Sequence, residues 1–270
     1  MPELPEVETT VRGLARYLEG ARIARLTLNR PDLRRPFPPD LVQVMTGARI
    51  DRLARRAKYG LIHTQSGQTM IFHLGMSGRW RIDPGEIAKH DHLVIETDAG
   101  HVLALNDARR FGSVDLCSTD DLDTFGPFDG MGPEPLSADL DARHLSDAFE
   151  GRISAVKVLL LDQKIVAGLG NIYVCEALHR AGIRPDKPAA RVSMARLKLL
   201  VPAIRDVLLE SIAAGGSSMR DYAKPDGELG YFATQWRVYG REGEPCHCGG
   251  WVERMVQGGR STFFCRKCQR

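Results

Sequence analysis

The chain has 270 residues, 43% hydrophobic and 26% charged, the balance of a folded globular protein large enough for two or three domains. No apolar run is long enough to cross a membrane, and the N-terminus lacks the basic start and apolar core of a secretion signal, so a cytoplasmic protein with no membrane partner is expected. The net charge of +3 is segregated: residues 1–150 carry 18 Lys and Arg against 23 Asp and Glu, and residues 151–270 carry 19 against 11.

The chain opens MPELPEVETT. Leu4, Val7, Val11, Leu14, Ala15 and Leu18 recur at helical spacing, with Pro and carboxylates suited to a first turn and Gly20 as a stop. A second reading of the same residues is chemical. With Met1 removed, Pro2 becomes a free secondary amine beside Glu3 and Glu6. From residue 21 to 115 the pattern changes to short, partly alternating strands: RIARLTLN, ARIDRLARRA, GLIHTQ, TMIFHLG, GRWRID, DHLVIETDAG and HVLALND. They predict a β-sandwich or barrel flanked by the N-terminal helix, an α+β architecture. Residues 22–58 hold ten basic and three acidic side chains, whereas 115–150 hold one and ten. A basic surface built from separate segments, with the acidic stretch 116–150 as a connector kept off it, points to a polyanion such as nucleic acid. Solvated faces on an ordinary protein are the alternative.

Beyond residue 150 the period becomes helical. SAVKVLLLDQ reads as a helix, AGLGN as a tight turn, and NIYVCEALHRAG as a helix capped by Asn171 and stopped by Gly182. A long helix opens at Ser193, with Pro202 predicting a kink or two shorter helices. GSSMRDYAKPDGELGYF is a glycine-rich polar loop. The tail from Gly240 reads as short strands holding Cys246, Cys248, Cys265 and Cys268, whereas Cys117 and Cys175 read as buried hydrophobes.

Four features of this pattern carry chemistry. A glycine turn before a helix leaves backbone N–H groups open to an anion, so AGLGN with Asn171 is a candidate phosphate clamp, and Lys157 could point the same way. Four thiolates in a reducing compartment suit tetrahedral zinc, which a 30-residue tail needs in place of a core. The rear half is CRKC, but the front half is CHC, one residue short, so His247 could substitute for a cysteine, or the site could be weaker. Between the halves, Arg260 near a hairpin tip could grip a phosphate. The loops HLGMSG and DARRFG offer His73, Met76, Arg109, Arg110 and Phe111. A loop-borne Met or Phe could wedge into a base stack, or it could pack into the core.

PELPEVET, RRAKYG, HLGMSG, KHDH, DARRFG, GPEPL, GLGNIY, GYF, VYGREGEPC and the cysteine tail occur in this order over nearly the whole chain. Together they resemble the bacterial formamidopyrimidine-DNA glycosylase family; the shortened CxC and Pro202 depart from its pattern. The resemblance implies an N-terminal β-sandwich domain (1–115), a connector (116–150), a helix–two-turn–helix domain with a lesion loop (151–239) and a zinc finger (240–270). DNA would lie in the cleft. It implies base-excision repair of oxidised purines, 8-oxoguanine and formamidopyrimidines, in double-stranded DNA by a monomeric, nucleoid-associated glycosylase and abasic-site lyase, with β,δ-elimination through a Pro2 Schiff base.

Carried onto this sequence, Pro2 is the nucleophile, Glu3 its acid/base partner, and Lys58 and Arg260 further catalytic groups. Glu6 helps hold the site. Met76, Arg109 and Phe111 fill the void left by the flipped base. His73, His92, Arg110, Lys157, Asn171 and Tyr239 contact DNA or line the site, and residues 215–232 cover the lesion. Cys246, Cys248, Cys265 and Cys268 bind one zinc ion. Alternatives are the endonuclease VIII branch of the same superfamily, which acts on oxidised pyrimidines, a non-catalytic zinc-containing DNA-binding protein, and an RNA-binding module.

Overall fold

The structure is a computed structural model that describes residues 1–217 and 235–270. The lesion loop expected at 215–232 lies outside the described residues from 218 onward. The chain divides into two compact units. The first holds Met1–Asp129 and, among the described residues, 214–217; the second holds Gly130–Ala213 and 235–270.

In the first unit, helix α1 (Leu4–Leu18) begins where the sequence places it. The Glu3 N–H donates to Glu6 Oε2 at 2.8 Å, the return arm of a capping box. Val7, Val11, Leu14 and Leu18 are buried on one face. Two four-stranded antiparallel sheets follow. One has the order β1 (Ile23–Leu28), β6 (Asp91–Thr97), β7 (Val102–Asn106), β5 (Arg79–Ile82). The other has the order β2 (Ile50–Arg56), β3 (Tyr59–Thr64), β4 (Gln68–His73), β8 (Ser113–Ser118). Their inner residues share one core with α1, and the Phe72 and Trp80 rings meet edge to face at 5.5 Å between the sheets.

All seven expected strands are present. Three elements were not anticipated, one of them a 3-10 turn at Thr119–Thr124. Short helix α2 (Leu41–Met45) buries Leu41 and Met45. Strand β8 runs into the acidic stretch that reads as a connector. Its polar residues suit a sheet edge, and pairing with β4 rather than its own hydrophobicity holds it there.

The second unit contains α3 (Ala142–Phe149), α4 (Val156–Leu160), α5 (Asn171–Arg180), α6 (Met194–Ala213) and the hairpin β9 (Glu253–Gln257)–β10 (Arg260–Phe264). α5 packs on α4, α6 and β10, and the Tyr173 hydroxyl meets Ser211 Oγ at 2.7 Å. Four local expectations change, the first being that α3, which buries Leu145 and Phe149, falls inside the acidic stretch 116–150 that reads as a connector. The helix expected over SAVKVLLLDQ is only the five residues of α4. Gly170, not Asn171, occupies the N-cap of α5, and Asn171 is the first helical residue. Helix α6 runs through Pro202 as one element. Pro202 and Lys198, whose carbonyl loses its donor, are exposed, so water can take that carbonyl. Buried Leu197, Leu200, Val201, Ile204, Val207 and Leu208 outweigh a proline cost of about 3 kcal/mol.

Candidate active site and metal centre

The start of α1 brings three buried residues together. Pro2, still in peptide linkage to Met1, precedes Glu3 and Glu6, which are 3% and 2% exposed. Glu6 is the organiser. One carboxylate oxygen accepts from Glu3 N–H, and the other accepts from Ser217 N–H at 2.8 Å. The residue after Pro2 and the described base of the lesion segment therefore hang on one side chain.

Lys58 stands at the tip of the β2–β3 hairpin, where Arg56 pairs with Tyr59 and Ala57 takes a positive φ of 52°. Its side chain is buried and its charge reaches His73. Burial first, then Lys58, Arg34 and Arg35, push the His73 pKa down to about 4. The ring is thus neutral at pH 7, and Nδ1 accepts the Gly75 N–H at 3.0 Å. A depressed histidine pKa gives stability that is fully present above the unfolded value of 6.5 and lost as pH falls through about 4. Urea midpoints of the protein should therefore decline between these limits. His73→Gln, which takes no proton, should show a shallower decline.

HLGMSG and DARRFG meet back to back. A Cβ at Gly75 would lie 2.3 Å from the Phe111 carbonyl carbon, and Gly75 has φ 62°. Since the obstacle is backbone, Gly75→Ala should cost roughly 3 kcal/mol from overlap and left-handed strain, measurable as a lower urea midpoint. Asp107 ties the seam. Its Oδ1 accepts from Ser77 Oγ at 2.6 Å and its Oδ2 from Gly112 N–H at 2.8 Å. Its N–H donates to the His90 carbonyl, and its own carbonyl faces His92 Nε2 at 2.9 Å. Three loops converge on this one buried residue.

Above the seam, Arg109 lies 4.7 Å over the Phe111 ring, which is 46% exposed and so is not a core residue. Met76 is half-buried. Arg110 is exposed, with φ 58° and a 3.8 Å approach to Asp32. His92 departs from its expected contact with DNA. It is 5% exposed and committed to Asp107, so its ring is a brace. His90, half-buried with its ring 6.0 Å away, is the imidazole of the pair with more access to solvent.

In the second unit, Lys157 is fully buried and its Nζ donates to Thr262 Oγ1 at 2.6 Å. Asn171 Nδ2 donates to the Ser261 carbonyl at 2.8 Å. Both converge on β10 beside exposed Arg260. Tyr239 packs its ring against Phe263 at 5.0 Å. Its N–H, with those of Arg237 and Val238, is gathered by the buried Glu176 carboxylate. Sequence reasoning missed His90, Asp107 and Glu176. The first two stand inside KHDH and DARRFG, where basic residues drew attention away from the backbone-organising partner. Glu176 gave one signal, an acid on the apolar face of a helix.

The four cysteines converge. Their sulfurs lie within 4.8 Å of one another, with Cys246–Cys268 at 3.9 Å and Cys248–Cys265 at 3.5 Å. A tetrahedron of metal–sulfur bonds of about 2.3 Å has edges of about 3.8 Å, so the set fits a metal ion. The short front half works because its turn is tight. Cys246 N–H donates to the Gly250 carbonyl at 2.8 Å, and a Cβ at Gly250 would lie 2.9 Å from Cys265 Sγ. His247 is exposed and is not needed to complete the cysteine set.

Residues 1–114 match the family profile described as the formamidopyrimidine-DNA glycosylase N-terminal domain, and 131–223 match its H2TH domain. The chain belongs to the formamidopyrimidine-DNA glycosylase family. It is 71% identical over the full length of both chains to the formamidopyrimidine-DNA glycosylase of Novosphingobium aromaticivorans, and 66% identical to that of Rhizorhabdus wittichii, again in full. Among solved structures, the complex between the Lactococcus lactis Fpg and DNA containing an abasic site is similar over 100% of both chains, with a TM-score of 0.92 and 34% identity. A complex of a mutant of that protein with DNA containing Fapy-dG has the same TM-score, coverage and identity. The formamidopyrimidine-DNA glycosylase fold, a β-sandwich followed by helices and a cysteine-bearing hairpin, is thus common to this chain and its relatives.

Proposed function

We propose that this chain is a base-excision repair enzyme that removes oxidised purines, 8-oxoguanine and formamidopyrimidines, from duplex DNA and then cuts the strand at the abasic sugar. The observation that carries the reading is the setting of Pro2, a buried imino acid at the start of α1 followed by the buried carboxylates of Glu3 and Glu6. Removal of Met1 frees its nitrogen. An α-amine titrates near about 7.7–8.0, and the positive end of a helix disfavours its ammonium form further, so free amine is available at neutral pH.

In the proposed reaction the Pro2 nitrogen attacks C1′ of the damaged nucleotide. The bond from C1′ to the base breaks, and the base leaves with the electron pair and takes up the proton that the Pro2 nitrogen gives up. Glu3 protonates the ring oxygen, the ring opens, and Pro2 and C1′ form an iminium. Because Pro2 is a secondary amine, this iminium has no N–H to lose. It stays cationic and withdraws electrons. Loss of a C2′ proton expels the 3′ phosphate, and loss of a C4′ proton then expels the 5′ phosphate. Water adds at C1′ and restores Pro2.

Extrusion of the damaged base costs a few kcal/mol, on the order expected for unstacking a nucleotide. In this reading Met76, Arg109 and Phe111 fill the space it vacates. Arg109 is purely a donor and suits the two acceptors of an orphaned cytosine. Lys58, His73, Arg110, Asn171, Tyr239 and Arg260 line the site or hold the phosphate backbone, the buried Lys157 braces β10 beside Arg260 rather than meeting a phosphate itself, and His90 takes the place first given to His92. Cys246, Cys248, Cys265 and Cys268 would hold one zinc ion, which staples the tail to itself. The proposed enzyme works as a monomer in the cytoplasm, at the nucleoid, and its functional parts are 1–115, 116–150, 151–239 and 240–270.

The test is borohydride trapping on a duplex carrying 8-oxoguanine opposite cytosine. A covalent adduct mapped to Pro2 supports the reading. Strand scission with no adduct at Pro2 overturns it, and faster release of thymine glycol would move the chain to the pyrimidine branch.

A further inference from the structure

His179 lies on the last turn of α5 and is 3% exposed. Its Nε2 faces two of the clustered sulfurs at once, Cys246 Sγ at 3.3 Å and Cys268 Sγ at 3.5 Å. Its Nδ1 is buried and has no hydrogen-bond partner among the described residues. The His247 ring packs edge to face against it at 5.3 Å. Nothing in the proposed excision chemistry uses this residue.

The chemistry of the contact narrows its role. Two thiolates present lone pairs to Nε2. A bare nitrogen lone pair there would be repelled, so either Nε2 carries a hydrogen or it binds the metal. Four sulfurs already supply a tetrahedral set at suitable spacing, and His179 meets two of them, Cys246 and Cys268. With the ring hydrogen on Nε2, both sulfurs gain a donor, and Nδ1 is left as the bare nitrogen, without a hydrogen-bond partner among the described residues. A four-thiolate zinc site carries two net negative charges, and N–H donors to sulfur offset that excess. The front chelate here is CxC, a residue short, and Cys246 belongs to it.

We infer that His179 is an outer-shell member of the metal centre, its Nε2–H donating to the thiolates of Cys246 and Cys268 and holding the shortened front half of the site on its ion. The inference rests on the zinc reading given above. It predicts that His179→Phe, which keeps the ring volume without the donor, surrenders zinc to a chromophoric chelator about ten-fold faster than the unaltered chain. His179→Gln, which retains an N–H of similar reach, should fall nearer the unaltered rate. The cobalt(II)-substituted protein should keep the same thiolate-to-metal charge-transfer intensity and d–d band positions in His179→Phe. Histidine nitrogen NMR of the unaltered zinc protein should find the Nε2–H tautomer at this ring, a readout that does not depend on any variant folding.

Equal zinc release from all three chains overturns the inference, and so does a cobalt spectrum that changes its bands on loss of the imidazole. An NMR signature of a metal-bound Nε2 overturns it as well. A purified full-length chain that holds no zinc at all sinks the zinc reading and the inference together. One zinc per chain with no dependence on residue 179 sinks the inference alone.

Discussion

A chain that keeps Met1 should excise 8-oxoguanine at least about 10³-fold more slowly than one processed to Pro2, equivalent to about 4 kcal/mol of barrier. The reason is bonding rather than bulk. In the unprocessed chain the Pro2 nitrogen is an amide whose lone pair is delocalised into the Met1 carbonyl, and it cannot form an iminium. The comparison needs two preparations that differ only in this residue, made by cleaving a removable leader either before Met1 or before Pro2. Single-turnover excision and borohydride trapping would be measured on both. Equal rates would dismiss Pro2 as the nucleophile. Lesion-duplex affinity measured alongside separates lost chemistry from lost binding.

The second large effect is expected at Asp107. Replacement by alanine removes the acceptors of Ser77 Oγ and the Gly112 N–H and leaves the latter buried. Hydrogen bonds to a charged group are worth about 1.5–3 kcal/mol each, so Asp107→Ala should destabilise by roughly 3–5 kcal/mol. The loss should not stop at stability. With the seam undone, the two loops that carry Met76, Arg109 and Phe111 lose their common support. Excision opposite cytosine should fall further than that of Arg109→Ala, which removes a tip and leaves the support intact. Asp107→Asn keeps one acceptor and should lie between. Urea midpoints together with excision rates would decide. An Asp107→Ala chain as stable and active as the unaltered one would show that the loops hold their shape without it.

The sequence made some layers of this molecule readable and hid others, for physical reasons. Strands with apolar alternation and a helix with a 3.6-residue period were legible because burial imposes those periods. β8 was not, because an edge strand can be polar and still pair. The proline in α6 predicts a break when taken alone, and only the ring of buried leucines and valines around it, a tertiary property, explains why the helix continues. Among the candidate site residues, Pro2, Glu3, Lys58 and the loop tips stood out by chemistry. Asp107 and Glu176 did not, because what they bind is backbone, and no side-chain pattern announces which N–H groups a carboxylate will collect. His92 carries the clearest lesson. Two histidines flank one aspartate in KHDH, and spacing gives no means of telling which faces outward.

The close approach of Gly75 to the Phe111 backbone has a consequence for how this surface can diverge over time. Two loops pressed together with no room for a methyl group behave as a single wedge, and neither can be reshaped without the other. On the function proposed above, related sequences should therefore trade residues freely at the wedge's points while leaving its joint untouched, so that a change of orphan-base preference comes by swapping points and not by remodelling the blade.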